Sequence, residues 1–167
     1  MPATVYPFTA QDMQRAAEEW NANCGPAALA FALGLHINDV RGVIPGFEQK
    51  GYTSPTMMKQ ALEVLGGWFV VRPSDRESMF DSEHRCLVRI QFTGPWTQAG
   101  ANPKWAYGQT HWIATYMVER QAAMVFDCNG GILGFQEWER EIVPAIVATI
   151  KRADGGWFPT HVWRIPT

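Results

Sequence analysis

Cys24 is the residue best placed in this sequence for nucleophilic chemistry. It stands where the polar, Gly/Pro-containing turn Asn21-Ala22-Asn23-Cys24-Gly25-Pro26 meets the apolar run from Ala27 to Gly34. A sulfur in the first turn of a helix faces unsatisfied N–H groups and the positive end of the helix dipole, and both favour the thiolate. Such a thiolate attacks acyl carbons, and it needs a base to form. Four histidines are present, His36, His84, His111 and His161. His111 is the best base among them, because it begins a strand directly after a Trp-rich loop, at the mouth of a cleft. His36 reads as a helix-end residue and His161 as a strand residue. The imidazole in turn needs an orienting acceptor, and Asp127 stands near the end of the following strand. Each residue also has a structural reading: Cys24 as core, His111 as an ordinary strand residue, Asp127 as a turn former ahead of Asn129-Gly130.

Whether His111 and Asp127 can meet depends on the parity of a hairpin. His111 to Val118 and Ala122 to Cys128 read as an antiparallel pair. An odd connecting loop, Glu119-Arg120-Gln121, puts His111 and Asp127 on one face, with Asn129 across from His111 as a rival third member. An even loop would turn Asp127 away. Cys128 is expected on the opposite face and, like Cys86, in the core. His84 and Cys86 form a second dyad on paper, but they share one extended segment with no helix dipole to activate the thiol.

The elements that must position these groups are legible from their patterns. Thr9 caps a first helix with Asp12 at its third position, and Met13, Ala16, Ala17 and Trp20 recur at helical spacing. The helix after Cys24 is apolar all round and must be buried. Ser54-Pro55 opens a further helix, striped by Met57, Met58, Ala61, Leu62 and Leu65 and ended by Gly66-Gly67. Trp68 to Val71, Cys86 to Phe92 and His161 to Ile165 read as strands, with helical segments at Gln136 to Val143 and Pro144 to Arg152. Thr93 to Gly108 is a long loop holding Trp96 and Trp105. Helices first and strands later indicate an α+β fold, with a buried Cys-bearing helix packed on a C-terminal antiparallel sheet, in one domain over residues 1–167.

Composition narrows the function. The 167 residues carry 14 Lys+Arg against 16 Asp+Glu, a net charge of −2, so the basic footprint of a nucleic-acid binder is missing. No apolar run approaches the ~20 residues of a membrane helix, so no membrane span is expected. Met1-Pro2-Ala3-Thr4-Val5-Tyr6 has no basic residue and no apolar core, which reads as no secretory signal and a cytoplasmic location, with export by a signal-independent route still open. Three widely spaced cysteines, without Cys-x-x-Cys or His-Glu-x-x-His, point to neither a disulfide framework nor a metal, and no cofactor is expected. Charged residues are only 18%, below the roughly 25% of a typical soluble domain, while aromatics reach 13%. Trp96, Trp105 and Trp112 are candidate linings of a substrate cleft.

Asn23-Cys24-Gly25-Pro26-Ala27-Ala28-Leu29-Ala30, His111-Trp112-Ile113-Ala114 and Asp127-Cys128-Asn129-Gly130 resemble the Cys, His and Asp boxes of papain-like cysteine peptidases, above all the double-glycine (bacteriocin) leader peptidase-like branch. The resemblance covers roughly residues 20–140. It implies a papain-like fold and a Cys24-His111-Asp127 triad acting through an acyl-thioester on a peptide, protein or other amide. One position departs from the pattern. The Gln that usually lies about six residues before the nucleophile, and donates to the oxyanion, is Glu18 here. Asn21 and Asn23 are the replacement donors, with the backbone N–H of Cys24; Asn23 also reads as a helix cap, which favours Asn21. The alternative is a catalytically silent papain-like module that binds a peptide or protein in an aromatic groove.

Overall fold

A computed structural model describes residues 7–166; the hexapeptide Met1 to Tyr6, read above for the absence of a secretory signal, lies outside them. The N-terminal third is helical. In α1 (Ala10–Trp20) the Thr9 hydroxyl accepts from Asp12 N–H at 3.1 Å while the Asp12 carboxylate accepts from Thr9 N–H at 2.8 Å, closing a capping box. Ala16 and Trp20 form its buried face, and Asn21 ends it in the left-handed region at φ 58°. α2 (Cys24–Leu33) is buried from Gly25 through Ala32, as an all-apolar helix must be. Its Phe31 ring stacks on Phe126 at 4.4 Å. A short 3-10 turn (Ile37–Val40) and the one-turn α3 (Phe47–Lys50) lead to α4 (Pro55–Val64), which Ser54 caps and which buries Met57, Met58, Ala61 and Leu62.

The strands are β1 (Val70–Arg72), β2 (Arg85–Phe92), β3 (Thr110–Val118), β4 (Ala122–Asp127), β5 (Gly131–Gly134) and β6 (Trp157–Ile165). They form one antiparallel sheet in the order β1-β6-β2-β3-β4-β5. The fold is therefore α+β, with helices packed on a six-stranded antiparallel sheet. Alternation along β3 sorts the core: Trp112, Ala114 and Tyr116 join α2 on one face, while Ile113 joins Val88, Val125 and Trp138 on the other. That second face is covered by a segment combining α6 (Phe135–Glu137), a π turn (Trp138–Ile142) and α7 (Val143–Val147).

Several boundaries differ from the sequence reading: β1 runs from Val70 to Arg72 rather than from Trp68, and β5 adds a strand where none was read. The Trp-rich loop contains a 3-10 turn (Pro95–Thr97) and α5 (Pro103–Tyr107), whose Asn102 cap accepts from Lys104 N–H. The helical segment expected through Arg152 stops at Val147. β6 starts at Trp157 rather than His161, because Pro159 is accommodated at a shift of register against Arg89 and Ile90, where a missing N–H is tolerated. Among the described residues no helix is long and apolar enough to cross a membrane.

Candidate functional site

The β3–β4 hairpin decides the geometry. Val118 pairs with Ala122, and Gln121 N–H donates to Val118 C=O at 3.0 Å, so the loop has the odd length that puts His111 and Asp127 on one face. Glu119 and Arg120 take positive φ, 50° and 60°, to make that turn. At the same end of the sheet His111 Nε2 lies 2.9 Å from Asp127 Oδ2. Asp127 is wholly buried and all of its acceptor sites are occupied. Oδ2 also accepts from Trp138 Nε1 at 2.8 Å, and Oδ1 accepts from Asn129 N–H at 2.9 Å and Asn129 Nδ2 at 3.2 Å. Asn129 thus supports Asp127 from the turn rather than facing His111 itself.

With Nε2 held by Asp127, Nδ1 is the ring nitrogen left for Cys24. The sulfur receives hydrogen-bonding groups from the His111 imidazole and the backbone N–H of Trp112. Burial alone raises a thiol pKa, but the charge and hydrogen bond of His111, with the Trp112 N–H, hold that of Cys24 below its ordinary value. Burial likewise disfavours a charged imidazole, and the Cys24 thiolate and Asp127 overcome it, lifting His111 to about 10. Burial pushes the Asp127 carboxyl up, and its bonds to His111, Trp138 and Asn129 bring it below the usual range. His111 as imidazolium favours both the Cys24 thiolate and the Asp127 carboxylate and is favoured by them, while the Asp127 charge opposes the thiolate directly.

The helix that presents the sulfur is fixed from two sides. Asn23 Oδ1 caps it at Gly25 N–H, and Asn23 Nδ2 donates to Gly51 C=O at 3.0 Å. Gly25 lacks a Cβ for a steric reason: an added one would lie 2.2 Å from Thr53 Oγ1. Thr53 C=O is held in turn by Trp112 Nε1 at 3.2 Å. The amide of Asn23 is thereby spent on structure. Asn21 is exposed, and its side chain makes no hydrogen bond among the described residues. Glu18 lies on the exposed face of α1, accepting from Gln14 at 3.0 Å.

The tryptophans part company with expectation. Trp112 is only 2% exposed and packs in the core beside Trp163, so it offers no face to a ligand. Trp96 folds back on its own loop, with Nε1 donating to Phe92 C=O at 2.7 Å. Trp105 is open to solvent at 65%. What borders the site instead is an apolar cavity of about 350 Å³ lined by Phe8, Met13, Phe126, Asp127, Cys128 and Ile132. Cys128 is therefore not plain core. It leaves the ladder at the end of β4, and its sulfur joins His111 and Asp127 in a group whose donor atoms lie within 4.8 Å of one another. Three such donors could hold a metal ion, yet the hydrogen bonds to Asp127 already fill that carboxylate. Cys86 is buried beneath the second face, its thiol raised to about 11 by burial, which leaves the His84-Cys86 pair inert.

Trp138 was not legible as a site residue, since nothing local to it points to Asp127. No protein-family model matches the chain and no curated protein matches it, so its assignment rests on this geometry.

Proposed function

We propose that the protein is a thiol hydrolase of amide bonds, a cysteine peptidase or amidase on a papain-like fold, with Cys24 as nucleophile, His111 as acid and base, and Asp127 as the residue that orients the imidazole. The observation that carries this reading is the chain of hydrogen bonds from Trp138 and Asn129 through Asp127 to His111, buried at Trp138, Asp127 and His111, which leads to a thiol at a helix N-terminus. The Cys24 thiolate adds to the amide carbon. The N–H of Cys24, first in α2 and without an intrahelical acceptor, donates to the oxyanion, together with the uncommitted Asn21 amide. His111 then gives its proton to the leaving amine, and takes one from the water that resolves the thioester. The apolar cavity beside Cys128 accommodates an apolar substrate side chain.

The placement of Glu18 favours a second reading. With that residue turned to solvent, no α1 side chain replaces the usual glutamine donor, and loss of one donor costs about a hundred- to a thousand-fold in rate. A binding module with an intact but unproductive triad would have this appearance. A panel of peptide nitrile and acyloxymethyl ketone probes, with mass spectrometry of the adducts, separates the two. The hydrolase forms an adduct on Cys24 that is lost in His111→Ala; an unlabelled Cys24 across the panel contradicts it.

A further inference from the structure

Arg89 stands on β2 between Trp112 of β3 and His161 of β6, its direct cross-strand partners. The three side chains share the face of the sheet that carries α2. Among the described residues Arg89 is the one buried arginine, at 8% exposure. Its Nη1 donates to the Thr160 hydroxyl at 3.2 Å, and its Nε has no partner. The half-buried arginines differ in what faces their charge: Arg72 and Arg164 share Asp81, although Arg164 Nε is likewise without a hydrogen-bond partner, and Arg85 donates to Phe31 C=O while lying over the Phe31 ring. A guanidinium withdrawn from water without a carboxylate is costly, and a counter-charge arriving from outside would offset that cost.

The surroundings fit such an arrival. Arg89 lines a cavity of about 460 Å³ with Tyr52, Thr53, Thr56, Tyr107 and His161, and no carboxylate is among the described residues lining it. Ser54, Pro55 and Thr56 also lie on its wall, so α4, ten residues long, turns the positive end of its dipole toward the same space. Burial, and then the charge of Arg89, lower the pKa of the neighbouring His161, so the guanidinium and a helix end await a singly charged anion. Thr53 connects this cavity to the nucleophile, since it lines the one and packs against Gly25 next to Cys24.

We propose that Arg89 is a specificity residue that binds a carboxylate of the substrate, so that Cys24 acts on amides carrying an acidic side chain or a free C-terminus close to the scissile bond. The amide substrate is taken from the hydrolase reading; the carboxylate site stands on Arg89 and its cavity. A single guanidinium beside a neutral imidazole suits a carboxylate better than a phosphate dianion.

Isothermal titration tests this with Cys24→Ser protein, which cannot turn the probes over. The probes are acetyl-Gly-Ala-Asp amide, acetyl-Gly-Ala-Asn amide, acetyl-Gly-Ala-Ala acid, acetyl-Gly-Ala-Ala amide and inorganic phosphate. One acid should bind about tenfold or more tightly than its neutral match, as a charge-assisted bidentate pair does. The Asp peptide or the free acid, whichever shows the gain, names the source of the carboxylate. Arg89→Gln should abolish the difference and Arg89→Lys retain part of it; the acid and amide contrast in otherwise unaltered protein needs neither variant to fold. Equal affinities for acid and amide, no binding of any peptide, or phosphate binding as tightly as the preferred acid overturns the proposal. Iodoacetamide labelling of the wild type is read alongside. A reactive Cys24 without acid preference removes only the role of Arg89, whereas acid preference with an inert Cys24 removes the hydrolase and leaves the carboxylate site.

Discussion

Cys24 and Cys86 belong to one small fold and differ in everything that sets thiol reactivity. Cys24 opens a helix at the end of the sheet, with an imidazole and a backbone N–H directed at its sulfur. Cys86 sits within β2 over the second core, fully buried, and burial lifts its pKa to about 11. Burial raises the pKa of both thiols. The difference lies in what compensates: His111, itself held by Asp127, reverses the effect at Cys24, while at Cys86 the neighbouring Arg72 and Thr115 do not. Reactivity is thus a property of the hydrogen-bonded chain behind the thiol rather than of the cysteine or its depth.

Removing the middle of that chain should do most to make Cys24 resemble Cys86. Asp127→Ala leaves His111, Trp138 Nε1 and Asn129 without their acceptor, and loss of one partner of a buried charged pair costs about 3–5 kcal/mol. Urea unfolding should show that loss, and the Cys24 thiol should titrate at higher pH than in the wild type. Loosening the helix that carries the sulfur should have a smaller effect. Asn23→Ala removes a cap and the tie to Gly51, with an expected loss of about 1 kcal/mol by the same method and a modest fall in Cys24 labelling. The hairpin turn offers the smallest change and the opposite sign. Arg120 holds a φ of 60° that glycine adopts freely and makes only an exposed ion pair with Glu83, so Arg120→Gly should stabilise by at most about 1 kcal/mol while both cysteines keep their reactivities. A shift in either reactivity would show that the hairpin does more than set register.

Much of the site could be read from local pattern. Thr9-Asp12, Asn23 and Ser54 are caps whose chemistry is contained within a few residues, and the parity of Glu119-Arg120-Gln121 was enough to bring His111 and Asp127 to one face. Long-range packing accounts for what escaped. Trp138 reaches Asp127 only because the 135–147 segment folds across the second face of the sheet. Trp112 looked like a cleft residue by its place next to His111, yet strand alternation sends it under the Gly51 to Ser54 loop, where its indole bonds Thr53. Nothing in the sequence pattern singles out Arg89, because its lack of a counter-charge is visible only when β3 and β6 are set beside β2. Gly25, by contrast, was seen only as part of a Gly-Pro turn; its need for an absent Cβ comes from Thr53, far along the chain.

The central claim is that His111 keeps Cys24 ionised. A thiol with the ordinary pKa of 9.0 is about 1% ionised at pH 7 by simple titration. In the wild type the Cys24 pKa is lowered from that value by His111, whose own pKa is raised to about 10, so the thiolate–imidazolium pair fills the window between. The direct measurement is the second-order rate of iodoacetamide alkylation at Cys24 and Cys86 against pH, resolved by peptide mass spectrometry, in wild type and His111→Ala. The account predicts fast alkylation of Cys24 at neutral pH and almost none of Cys86 in the folded protein. In His111→Ala the Cys24 rate at pH 7 should fall about a hundredfold and recover only above pH 9. Equal Cys24 rates in the two proteins at pH 7 would contradict it.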